Sequence, residues 1–129
     1  MLDLAKFLDE YIKFVMSVAS EQDKKGQVVQ GIIGISTESG ELLDALKKNM
    51  FQQRPLDTVN VEEECGDILF YMTELLEAID SDIFKVMAIN QHKLESRYDG
   101  KRFDKDKSLN RDLVREREIL EQGAKDEVS

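Results

Sequence analysis

VEEECGDILFYMTELLEAI, Val61–Ile79, carries the clearest helical pattern in the chain. Val61, Cys65, Ile68, Met72, Leu75 and Ile79 recur at spacings of three and four, which stacks them on one face of an α-helix. Asn60 stands where it can cap this helix, with Glu63 at the reciprocal capping-box position. Cys65 then reads as a small buried residue, because it has neither a second cysteine nor a basic neighbour to activate a thiolate.

Working outward, Asn49 to Asn60 contains Pro55 and no sustained periodicity, which predicts a loop. Before it, Val28, Ile32, Ile35, Ser39, Leu42 and Leu46 predict a helix whose seam they form. Polar EQDKKG, Glu21–Gly26, separates that helix from a first one over about Asp3 to Glu21. The first helix carries Leu4, Leu8, Tyr11, Val15 and Val18, with Phe7 and Phe14 broadening the face. After Ile79, Asp80 or Ser81 can cap a fourth helix reaching about Arg97, with Ile83, Met87, Asn90 and Leu94 on one side. Asp99-Gly100 is a stop, KRFDKDK is too charged for a core, and Asn110–Glu121 has the weak seam of a short terminal helix.

Each apolar helix face needs another to cover it. The expected fold is therefore all-α: a four-helix bundle over residues 1–98, followed by a charged C-terminal extension, 99–129, with helical character. At 129 residues the chain suffices for one such domain. A single cysteine excludes an internal disulfide framework and points to the reducing cytoplasm. No apolar run approaches the roughly 20 residues of a membrane span. The net charge of −9 argues against nucleic-acid binding, and its excess lies in residues 1–98, with 18 acidic residues against 10 basic ones.

Acidic pairs three apart are common in so acidic a chain, so their place relative to the seams matters more than their spacing. Glu38 borders the seam of the second helix and Glu41 lies farther round the same side, which Gly31, Gly34 and Ala45 keep free of bulk. Glu64 and Asp67 stand likewise on the third helix, whereas Asp44 and Glu77 point away as solvated charges. If the two helices face each other, four carboxylates converge and repel unless protonated or neutralised. A small, hard cation that prefers oxygen ligands, Mg²⁺, resolves that conflict. On the fourth helix Asn90, Lys93 and Arg97 form a polar stripe suited to phosphate, and Lys47 and Lys48 make a second cationic patch. His92, the one histidine, falls on a different face and reads as a surface or structural residue; helical di-iron chemistry would need two Glu-x-x-His pairs, which are absent.

Glu38-Ser39-Gly40-Glu41, then Glu64-Cys65-Gly66-Asp67, then the run Asn90 to Tyr98 with Gly100 after it, resembles the MazG-like family of all-α nucleotide pyrophosphohydrolases. The resemblance spans about residues 27 to 103. It implies Mg²⁺-dependent hydrolysis of a nucleoside triphosphate between the α and β phosphates, giving a nucleoside monophosphate and pyrophosphate, with Mn²⁺ as a substitute ion. It assigns Glu38, Glu41, Glu64 and Asp67 to one or more metal ions, with Glu38, or else Glu41, activating water. Lys93, Arg97 and Asn90 become phosphate-binding groups, and Tyr98 and Lys48 candidates for positioning the nucleotide. A homodimer or homotetramer is the implied assembly. The alternatives are a noncatalytic nucleotide-binding regulator and an oligomeric interaction protein.

Overall fold

A computed structural model describes Met1, residues 3–99 and residues 102–125; Gly100, read above as a stop, lies outside the described residues. Among them the chain forms six α-helices and no strand, an all-α protein as expected. The helices are α1 (Leu4–Val18), α2 (Lys24–Gln52), α3 (Thr58–Ala78), α4 (Ile83–Arg97), α5 (Lys105–Leu109) and α6 (Leu113–Lys125), with a 3₁₀ turn at Ala19–Glu21. They fall into two compact units, residues 1–81 with α1 to α3 and residues from 82 onward with α4 to α6. No helix among the described residues is long and apolar enough to cross a membrane.

Aspartate opens every helix. The carboxylates of Asp3, Asp23, Asp57, Asp82 and Asp104 each accept the backbone N–H three residues on, and Asp112 does so for Arg115 at 2.9 Å. An aspartate both satisfies an orphan N–H and places negative charge at the positive end of the helix dipole. This corrects three expected boundaries. Asn60 does not cap α3, since it is the residue whose N–H Asp57 accepts at 3.1 Å. Asp82, not Asp80 or Ser81, caps α4. Lys24, Lys25 and Gly26 belong to α2 rather than to a linker.

The loop expected over 49–60 shrinks to 53–57. Helix α2 continues to Gln52, where Gln53 turns left-handed at φ 53° and Pro55 follows soon after, a combination that cannot extend a helix. Asp80, also left-handed at φ 57°, closes α3, and the Ser81 N–H reaches back to the Leu76 carbonyl at 2.9 Å. Its carboxylate accepts from Lys24 Nζ at 2.6 Å, tying the far end of α3 to the start of α2.

Helices α2 and α3 form an antiparallel pair, with Gly31 against Leu75 and Gly34 beneath the Tyr71 ring. The buried face of α2 is Gln27, Gly31, Gly34 and Ala45, with Glu38 half-buried on the same side. The expected apolar seam does not hold: Val28, Ile35 and Leu42 are half-buried, but Ile32, Ser39 and Leu46 are exposed. Small residues win because they let two backbones approach closely, and the larger side chains are turned aside. Helix α3 is rotated in the same sense. It buries Glu64, Thr73, Glu74, Leu76 and Ala78, which leaves Cys65 and Ile79 exposed rather than buried.

Glu74 is fully buried, and among the described residues neither carboxylate oxygen has a hydrogen-bond partner. Burial raises its pKa above the usual 4.5. The folded chain therefore binds this proton more tightly than the unfolded chain, and the residue costs stability as pH rises above 4.5. Replacing Glu74 with leucine should raise stability by about 1–3 kcal/mol at pH 7.5, the range for an unsatisfied buried polar group. Urea melts should show the gain shrinking as pH falls toward 4.5.

In the second unit α6 packs on α4, burying Ile119 and bringing Gly123 so close to Ile89 that an added Cβ would lie 2.7 Å from it. Helix α6, ending at Lys125, outruns the short terminal helix expected at 110–121, and α5 adds a turn within the charged stretch.

Candidate functional site

The antiparallel α2–α3 pair sets Glu38 opposite Glu64 and Asp67. Glu38 stands one turn beyond Gly34, and Asp67 one turn before Tyr71, so the glycine–ring contact fixes the separation at which the acids meet. One carboxylate oxygen from each of Glu38, Glu64 and Asp67 lies within 4.8 Å of the other two. Glu64 is buried, Glu38 half-buried and Asp67 exposed, making a site open on one side.

The electrostatics show strain of a kind a cation relieves. Burial, then a hydrogen bond shared with Glu64, then the negative charges of Glu64 and Asp67 raise the pKa of Glu38 above its ordinary value; the Thr37 hydroxyl, donating at 3.4 Å, opposes them. The donors are all carboxylate oxygens, with no nitrogen or sulfur, which suits a hard divalent cation.

Other residues around the trio were not anticipated. Asn60, expected as a cap, donates its side-chain amide to Glu64 Oε1 at 2.7 Å and holds that carboxylate in place. Its position four residues before Glu64 on one helix was the available signal. Tyr11 of α1 is half-buried, and its hydroxyl pKa is raised by burial and then by the negative charge of Asp67. No spacing rule links Tyr11 to Asp67.

Glu41 lies outside the trio. It is exposed and lines a cavity of about 710 Å³ with Asp44, Lys48, Arg54, Asn60 and Glu63. Lys48 is engaged there by Asp44, at 2.6 Å, as is Lys47 at 2.7 Å, so Asp44 is ion-paired rather than merely solvated, and the two lysines hold its pKa down at about 2.

In the second unit the expected stripe is partly committed. Asn90 and Tyr98 line a cavity of about 550 Å³ with Met87, Leu94, Arg102 and Phe103. Lys93 is half-buried and His92 exposed. Arg97 is engaged on one edge by Glu116 of α6, through Nε to Oε1 at 2.7 Å and Nη2 to Oε2 at 2.8 Å. The same guanidinium lies over the Tyr98 ring, 5.6 Å from its centre. Hydrogen bonds with Ser108 and then Arg97 lower the Tyr98 pKa.

The sequence model of the MazG nucleotide pyrophosphohydrolase domain matches residues 31–101, which include the trio, Glu41 and the whole of the α4 stripe. The chain belongs to the MazG family. No curated protein and no solved structure matches it at a significant level. MazG membership points to nucleotide pyrophosphohydrolysis, and the acid trio is a group of carboxylates that could hold a metal ion. Glu116, Arg111 and Ser108, which hold Arg97 and Tyr98, lie beyond the MazG-matched stretch.

Proposed function

We propose that the protein is a Mg²⁺-dependent nucleoside triphosphate pyrophosphohydrolase cleaving between the α and β phosphates. The observation that carries this is the convergence of Glu38, Glu64 and Asp67 from two facing helices. Those three would hold the ion, with Glu41 as a further ligand. Magnesium bound there supplies Lewis-acid polarisation of phosphate oxygen and a more acidic water.

The protein's own groups supply the rest. Glu38 takes the proton of the attacking water; Glu41 is the alternative base. Asn60 keeps Glu64 oriented while charge builds up. Lys93, Arg97 and Asn90 bind the phosphates alike in substrate and transition state, and Tyr98 and Lys48 position the nucleotide. One water is consumed for each α–β bridge broken, and the products are a nucleoside monophosphate and pyrophosphate.

Residues 1–98 carry the active domain in this reading, with 99–129 as an extension. A homodimer or homotetramer is supported by Phe7, Phe14, Ile32, Ile33 and Leu46, large apolar side chains left exposed on α1 and α2. The single cysteine supports a cytoplasmic setting.

A pyrophosphate-release assay across ribo-, deoxyribo- and modified nucleoside triphosphates tests the proposal. Turnover of at least one, abolished by EDTA and restored by Mg²⁺ or Mn²⁺, is the expected result. Magnesium-dependent nucleotide binding without release of pyrophosphate from any of them would instead make the chain a noncatalytic regulator.

A further inference from the structure

Besides Tyr98, the groups that hold Arg97 lie outside the family-matched stretch. The carboxylate of Glu116, nineteen residues away on α6, accepts both N–H groups on one edge of the guanidinium, and the side chains are only 13% and 7% exposed. Arg111 donates to the same two oxygens, Nη2 to Oε2 at 2.5 Å and Nε to Oε1 at 3.4 Å. Two guanidiniums thus share one carboxylate, leaving a net positive charge. Around these three side chains Asp99 is taken by Lys107 at 2.6 Å and Arg115 pairs with Glu118, while Asp112, which caps α6, adds a negative charge to the same cavity.

The arrangement is fixed from both sides. Helix α6 is seated on α4 by buried Ile119 and by the Gly123–Ile89 contact, so Glu116 cannot drift along the helix. The fork-on-fork geometry fixes the plane of the guanidinium as well as its position. Glu116 uses the Nε and Nη2 edge and does not consume Nη1.

We infer that Glu116 is a positioning residue: with Arg111 it holds Arg97 so that the rest of its guanidinium meets the triphosphate, which makes the C-terminal extension part of phosphate recognition. The inference rests on the proposal that Arg97 binds phosphate. The two arginines keep the Glu116 pKa down at about 2, so the clamp remains charged at any pH at which the enzyme would work.

Calorimetric titration of the full chain with inorganic tripolyphosphate in magnesium buffer, together with KM and kcat for a hydrolysed triphosphate, tests this. Glu116→Ala should weaken tripolyphosphate binding and raise KM by about 10-fold with kcat within about 2-fold, because a ground-state phosphate contact is misaligned. Isosteric Glu116→Gln should lose less. Arg97→Ala should lose at least as much as Glu116→Ala, and adding Glu116→Ala to it should cost nothing further, since Glu116 acts through Arg97. A fall in kcat and melting temperature with KM unchanged would make Glu116 merely structural. Tighter binding in Glu116→Gln would overturn the inference by showing that Glu116 competes with phosphate. If Arg97→Ala binds like the wild type, Arg97 has no phosphate role, and both this inference and that part of the proposed function fall. If Arg97→Ala weakens binding but Glu116→Ala does not, only the inference falls.

Discussion

Glu38→Gln is expected to cut magnesium-dependent pyrophosphate release by about 100-fold or more, the loss typical of a removed general base, while the metal-free protein becomes more stable. The two effects have one cause. Glu38 is pressed against Glu64 and Asp67 and partly withdrawn from water, which raises its pKa. A carboxyl whose folded pKa lies above its unfolded value costs stability as pH rises from 4.5 through the folded value. Glutamine keeps the shape and removes the charge, so thermal melts in EDTA at pH 8 should move upward, and less so at pH 5. Addition of magnesium should then raise the wild-type midpoint but leave that of the variant nearly unmoved, because a ligand that binds only the folded state stabilises by its affinity. Glu64→Gln and Asp67→Asn should lose the same magnesium response. Wild-type turnover by Glu38→Gln at saturating substrate and magnesium would remove Glu38 from the role of base.

The acids of this trio are legible in the chain because Glu38 and Glu64 border apolar seams and Asp67 lies farther round the same side as Glu64, and the three do meet. The seams themselves differ from the periodic pattern. Periodicity counts apolar residues and so turns Ile32 and Leu46 inward, but α2 is seated by what its glycines allow, and both face outward. Cys65 is exposed for the same reason, one residue from Glu64 and therefore about 100° round the helix from the buried side. Buried Glu74 could not be read, since a lone acid in an apolar helix looks like any solvated charge until its neighbours are known. Glu116 was equally hidden: its partner Arg97 stands nineteen residues away, beyond any helical spacing. The helix starts carry a usable signal in the sequence, an aspartate immediately before each of them.

Gly34→Ala should be the most damaging single-methyl change in the first unit. A Cβ there would lie 2.2 Å from Tyr71 Cγ, with Cδ1 and Cδ2 at 2.3 and 2.4 Å. These atoms are the root of the ring, which cannot swing aside as the tip of a long side chain could, so either Tyr71 leaves its rotamer or α2 and α3 separate. Overpacking of this kind costs about 1–3 kcal/mol, and here the upper end applies, against about 1 kcal/mol gained when alanine replaces glycine in a helix. Gly40→Ala is the control. It lies on the same helix with nothing within 4 Å of the added Cβ, so only the gain of about 1 kcal/mol remains. Urea melts should therefore move in opposite directions for the two alanines, with Gly34→Ala below wild type and Gly40→Ala above it. The consequence reaches the acids, because Gly34 and Tyr71 stand one turn from Glu38 and Asp67, and helices pushed apart there draw the carboxylates beyond the reach of a single ion. Magnesium titration by calorimetry should show weakened binding in Gly34→Ala even under conditions where it is fully folded. A Gly34→Ala protein as stable as wild type, with unchanged magnesium affinity, would mean that the contact between Gly34 and Tyr71 does not set the spacing of the site.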